Sequence, residues 1–188
     1  MAERASSNSF SPAEFSKGGL VQIFTGEGKG KTSAALGTVL RASGYGLRVC
    51  VVAFMKGEYS QGEWEALSKL PNVKVAKFGF RTFTNPARVK PEEIEQAHQA
   101  LAVAREAALS GDYELVVLDE VNVAIAWKLV ELDEVVRLIE DRPANVELIL
   151  TGRMADPRLV EIADLVTECL NVKHPYDKGV KARAGFDY

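Results

Sequence analysis

Leu20-Val21-Gln22-Ile23-Phe24-Thr25-Gly26-Glu27-Gly28-Lys29-Gly30-Lys31-Thr32-Ser33 is the stretch whose reading decides the fold. Leu20 to Phe24 is an apolar strand signal, and Ser33 to Ala42 carries a helical pattern. Strand, glycine loop and helix in that order form a phosphate cradle, because glycines let the backbone wrap with its N–H groups turned inward. On this reading Thr25, Gly26, Glu27, Gly28, Lys29, Gly30, Lys31, Thr32 and Ser33 surround a nucleoside triphosphate. Lys31 reaches the phosphates and the Thr32 hydroxyl ligates Mg²⁺ or Mn²⁺. The usual spacing, G-x-x-x-x-G-K-[ST], would put glycine at Thr25, and here glycine comes one place later. A flexible surface turn does not explain why Lys29 and Lys31 crowd a loop beside a buried strand.

Outward from this loop, apolar strands alternate with helical stretches. Arg48–Phe54, Leu115–Asp119, Val146–Thr151 and Leu165–Leu170 read as strands. Val73–Phe78 reads as an edge or half-exposed one. Helices are expected from Pro91 to a stop at Gly111, over Leu132–Asp141 and over Pro157–Ala163. The alternation predicts an α/β protein with a mainly parallel sheet, helices on both faces, and a RecA-like P-loop NTPase fold. Ligands of such sheets bind beyond the carboxyl ends of the strands. Residues 1–17, rich in Ser, Ala and charge, are expected to be a mobile arm, and residues 18–188 one domain.

Composition narrows the function. The chain has 188 residues and a formal net charge of −3, which gives no bulk electrostatic case for binding nucleic acid. No stretch is long and apolar enough to predict a membrane span, so a cytoplasmic enzyme is the default expectation. Cys50 and Cys169 both read as small buried residues rather than disulfide or metal partners.

Three further segments carry chemistry. Leu115-Val116-Val117-Leu118-Asp119-Glu120 is an apolar strand ending in two acids, which suits Mg²⁺ held directly or through water. Asn122 can orient a water or contact the ligand. Thr151-Gly152-Arg153 places an arginine where it can offset phosphate charge or lie solvated in a loop. The aromatic, glycine-rich segments Phe54-Met55-Lys56-Gly57, Gly62-Glu63-Trp64 and Phe78-Gly79-Phe80-Arg81-Thr82-Phe83 read as core-edge packing or as a cleft for a large flat ligand. His174 before Pro175 reads as structural. No nucleophile–base pair is visible, which argues against covalent catalysis.

Taken together, Thr25–Thr32, Val117-Leu118-Asp119-Glu120-Val121-Asn122, Leu150-Thr151-Gly152-Arg153, and Ala163–Glu168 running on through Val172–Gly179 resemble the P-loop ATP:corrinoid (cob(I)alamin) adenosyltransferases. The similarity extends from about Gly19 through the tail Val180–Tyr188, and Thr in the first loop position is that family's own pattern. The resemblance implies that a Co(I) corrinoid attacks the ribose 5′ carbon of ATP and intact triphosphate leaves. Lys31 and Arg153 would then act on the leaving group, and Thr32, Asp119 and Glu120 would hold the metal. It also implies an electron-donating reductase and a homodimer, and an ATP turned relative to ordinary P-loop enzymes. Many members carry Phe-Thr-Trp after the third strand, where aromatics help displace the lower ligand of Co(II). This chain has Phe80-Arg81-Thr82-Phe83-Thr84-Asn85 there, so Phe83 is the first candidate for that role and Phe80 the second. The alternatives are a P-loop ATPase or kinase cleaving the β–γ bond, and a nucleotide-dependent corrinoid-binding module without turnover.

Overall fold

The computed structural model describes residues 18–57, 62–81 and 84–187. Among these, six parallel strands form one sheet: β1 (Val21–Thr25), β2 (Val49–Ala53), β3 (Val73–Lys77), β4 (Leu115–Asp119), β5 (Glu147–Thr151) and β6 (Leu165–Glu168). Their spatial order is β3-β2-β4-β5-β1-β6. β5 therefore lies between the glycine-loop strand β1 and the acid-ended strand β4. The expectation of an α/β, P-loop NTPase-like architecture is met.

Period-two alternation along the strands sorts side chains onto the two faces. On one face Val49, Val51, Ala53, Val117 and Ile149 pack against α1 (Lys31–Gly44) and α2 (Gly62–Leu67). On the other, Ile23, Cys50, Val52, Leu118 and Leu150 pack against α3 (Pro91–Leu109), α4 (Val121–Ala126), α5 (Leu132–Asp141) and α6 (Pro157–Ile162). A strand covered on both sides is apolar throughout, which is why β2 and β4 are buried at every position.

The helix starts follow local chemistry. Glu93 accepts the Lys90 N–H at the head of α3, at 2.8 Å. Asp156 accepts the Arg158 N–H at the head of α6, where Pro157 needs no partner. α1 differs, since its N-cap is Gly30 and makes no side-chain cap. The first amides of α1 are thus left for something else.

Three expectations change. Gly62-Glu63-Trp64 is not an open loop but the start of α2, and Trp64 is buried against α1 and the sheet. β6 ends at Glu168 rather than Leu170, and among the described residues it pairs with β1 alone and all four of its residues are exposed. Cys169 is half-buried beside the glycine loop, whereas Cys50 is buried, and burial pushes its thiol up to about 11. The predicted arm, residues 1–17, lies outside the described residues. No helix among the described residues is long and apolar enough to cross a membrane.

Candidate functional site

The carboxyl ends of β4, β5, β1 and β6 are neighbours in the sheet, and the chemistry-bearing segments follow them. The glycine loop leaves β1 and rests on the chain leaving β6. Gly28 N–H donates to the Cys169 carbonyl at 2.6 Å, and the Cys169 N–H donates to the Thr25 carbonyl at 2.8 Å. Glycine is required at two of these places for different reasons. A Cβ on Gly28 would sit 2.5 Å from the Leu170 carbonyl oxygen. Gly26, at φ 97°, combines such a clash, with the Cys169 oxygen at 2.6 Å, and a backbone conformation that disfavours side chains.

Lys31, the first residue of α1, folds back over the loop. Its Nζ donates to the Gly26 and Gly28 carbonyls at 2.8 and 2.7 Å. Burial lowers its pKa, and Arg153 pushes the same way against the attraction of Glu120. A desolvated ammonium satisfied only by carbonyls is poised to exchange them for phosphate oxygens, which bind it more strongly.

At the end of β4, Asp119 is fully buried and Glu120 half-buried. The Thr151 hydroxyl, from the end of β5, donates to Asp119 Oδ1 at 2.7 Å and accepts the Glu120 N–H at 2.9 Å. Glu120 has φ 65° and caps α4 from the left-handed region. Burial, then the Asp119 carboxylate, raise its pKa, while Lys56, Lys31 and Arg153 pull against that rise. Lys56 Nζ lies 3.7 Å from Glu120 Oε1. Asn122 donates to the Gly152 carbonyl at 3.3 Å. Asp119 Oδ2 and Asn122 Oδ1 are buried with no hydrogen-bond partner. Each of these orphaned oxygen acceptors is a group that a hard cation or its water shell would satisfy.

Glu27, Gly28, Lys29, Lys31, Glu120 and Arg153 line one side of a cavity of about 320 Å³, and His174, Tyr176, Lys181 and Asp187 line the other. Arg153 reaches over the loop to Glu27 at 3.2 Å. Lys29 Nζ binds the Phe186 carbonyl at 2.7 Å and the Asp187 carboxylate. Lys29 and Arg183 together hold Asp187 well below the ordinary carboxylate range. His174 Nδ1 accepts the Tyr176 N–H and so caps the 3-10 turn Pro175–Lys178. Thr32, Ser33 and Phe186 border an adjoining cavity of about 350 Å³.

The structure thus brings Lys31, Glu27, Lys29, Arg153 and Glu120 to one cavity, while Asp119 and Asn122 are buried and do not line it. Phe80 stands apart, exposed after β3, and Phe83 lies outside the described residues. Lys56, Thr151 and Asp187 went unassigned in the sequence. Lys56 carried a signal in retrospect, standing between Met55 and Gly57 right after a buried strand. Met55 is left-handed at φ 56°, and a Cβ on Gly57 would strike the Gly79 carbonyl oxygen at 2.6 Å. That close approach seats the loop after β2 on the loop after β3.

Known proteins resemble the chain over most of its length. The family model described as ATP:corrinoid adenosyltransferase BtuR/CobO/CobP matches residues 17–188. The chain belongs to that family. A corrinoid adenosyltransferase of Pseudomonas aeruginosa is 39% identical over 170 residues, spanning 90% of this chain and 84% of its own. One from Escherichia coli K12 is 36% identical, spanning 90% and 86%. Corrinoid adenosyltransferase CobA of Salmonella typhimurium is 35% identical over the same shares.

Proposed function

We propose that the protein transfers the 5′-deoxyadenosyl group of ATP to the Co(I) centre of a corrinoid. The cobalt electron pair forms the bond to the ribose 5′ carbon. The carbon–oxygen bond breaks, its pair leaves with the oxygen, and triphosphate is released. The protein's task is to hold the polyphosphate, offset its growing charge and aim the carbon at the cobalt.

The supporting observation is the cavity wall on which Lys31, Lys29 and Arg153 converge around the uncapped start of α1. The loop amides and Lys31 bind the phosphates, and Arg153 leaves Glu27 to join them. Thr32, Asp119 and Glu120 would hold Mg²⁺ or Mn²⁺, and Asp119, being fully buried, would act through a water. Bound there, the ion would neutralise phosphate oxygens. Asn122 supports the same water shell with its orphaned oxygen. Phe80, exposed after β3, with Phe83 beside it in sequence, is the aromatic wall for the corrinoid. A homodimer is the proposed assembly, supported by exposed Leu165 and Val166 on the open edge strand. A reductase supplies the electrons for Co(I), in the cytoplasm.

The test mixes protein, ATP, Mg²⁺ and a chemically reduced corrinoid. Light-sensitive adenosylcorrinoid and triphosphate in equal amounts are expected. Orthophosphate alone, with no alkylated cobalt, would instead establish β–γ cleavage.

A further inference from the structure

We propose that Thr151 is a positioning residue for the metal–nucleotide site: its buried hydroxyl, shared between Asp119 Oδ1 and the Glu120 N–H, fixes both carboxylates in the arrangement that takes Mg²⁺ with ATP. The proposal rests on the reading of Asp119 and Glu120 as the metal's carboxylates. A hydroxyl has one proton to give, and here it is committed to Asp119 at 2.7 Å. That fixes which carboxylate oxygen is occupied and leaves Oδ2 as the one without a partner.

The acceptor side of the same oxygen does separate work. Glu120 is not glycine, yet its φ is 65°. Such a conformation is strained and persists only where its surroundings over-determine it. Thr151 Oγ1 accepts the Glu120 N–H at 2.9 Å, and the Glu120 carbonyl accepts the Ala124 N–H at 3.1 Å, so the residue is held on both sides. The left-handed turn is what takes the Glu120 side chain off the line of β4 to the cavity that Lys31 and Arg153 also line. Thr151 is fully buried and β-branched, so its hydroxyl has little rotational freedom. β5, which carries it, is the strand between β1 and β4. Its carboxyl end therefore lies beside both the acidic pair and the glycine loop. Lys56 makes a second hold, on the side chain of Glu120 only, and leaves Asp119 untouched.

The test is titration calorimetry of ATP without corrinoid, with Mg²⁺ and with EDTA, on wild type, T151V and T151S. In wild type, Mg²⁺ is expected to tighten ATP binding. T151V should weaken Mg²⁺-dependent binding tenfold or more and leave EDTA binding within twofold, because the loop and Lys31 are unaffected. T151S should recover most of the loss. T151V binding like wild type in Mg²⁺, or losing EDTA binding to the same degree, overturns the proposal. Where T151V does not fold, T151C takes its place with the same expectations. Failure of both to fold beside a folded T151S overturns it too, since the hydroxyl then serves the fold. Wild-type binding indifferent to Mg²⁺ overturns the metal reading itself, and is distinguishable from these.

Discussion

Replacing Gly28 by alanine separates the glycine loop's two requirements, space and backbone conformation. A Cβ there would lie 2.5 Å from the Leu170 oxygen, 2.6 Å from the Leu170 carbonyl carbon and 2.7 Å from the Cys169 oxygen. All three are backbone atoms, so no side chain can rotate away. Ordinary contact needs about 1 Å more, and either the loop or residues 169–170 must shift by that much. The shift breaks the Gly28–Cys169 hydrogen bond of 2.6 Å, worth a net ~1 kcal/mol. The overpacking adds ~1–3 kcal/mol. The total of ~2–4 kcal/mol corresponds to a melting temperature lower by about 5–15 °C for a domain of this size. A 1 Å displacement of phosphate-binding amides should also weaken ATP binding by up to ~100-fold, by analogy with the cost of misplaced catalytic groups.

The paired control is Gly37→Ala. Gly37 is exposed inside α1, and nothing lies within 4 Å of an added Cβ. It should stabilise the protein by ~0.5–1 kcal/mol and leave binding unchanged. Thermal unfolding and ATP calorimetry on both variants make the comparison. G28A with wild-type melting and wild-type ATP affinity would refute the claim that the loop is seated on the β6 exit.

Further substitutions test the charges. K31M should weaken ATP binding roughly 10- to 100-fold, the worth of a charge-assisted hydrogen bond, and calorimetry would show it. The native pKa of Glu120 is raised, so the folded state holds that proton more tightly than the unfolded chain, and the wild type loses stability as pH climbs from the ordinary carboxylate value of ~4.3 through the native one. E120Q should therefore melt above wild type at pH 8 and close to it at pH 4, while losing Mg²⁺-dependent ATP binding; a lower melting point at pH 8 would contradict this. Asp187 has the opposite shift: its native pKa is depressed by Lys29 and Arg183. The tail's tie to the glycine loop is then intact above the ordinary aspartate value of ~3.9 and lost as pH falls through the lowered one. D187N should release the tail at neutral pH, seen as faster tryptic cleavage after Lys29 and Arg183.

The elements that were legible in the sequence are those whose signal is local. β2 and β4 announce themselves as unbroken apolar runs because both of their faces are covered, and α5 as an amphipathic stretch whose bounds match the structure. α2 and α4 span six residues each, too short for a 3.6-residue period to repeat. Trp64 therefore passed for a loop aromatic, though it is buried. β6 was read as a strand running to Leu170, but it ends at Glu168, and composition cannot say that β1 is its one neighbour among the described residues. The glycine loop, Lys31 and the acidic pair were legible as a motif. Their support was not. The Thr151 hydroxyl meets Asp119 across 32 residues of chain, and Lys29 meets Asp187 across 158. The Gly57–Gly79 approach likewise exists only once two loops are folded together.

The order of strands explains why so much of the site converges on so little sequence. Four adjacent strands end at the cavity, and each delivers one kind of group: loop amides and Lys31 from β1, the acids from β4, Thr151 and Arg153 from β5, and from β6 the backbone on which the loop rests. None of these is a nucleophile or a paired base. The groups gathered here supply positive charge, rigid donors and a pair of carboxylates. That inventory suits a reaction whose nucleophile arrives with the substrate and whose difficulty lies in stabilising a departing polyanion. The desolvated Lys31 and the strained Glu120 fit the same account. Burial disfavours the charged form of both side chains, and phosphate beside Lys31 and a cation beside Glu120 would each favour it.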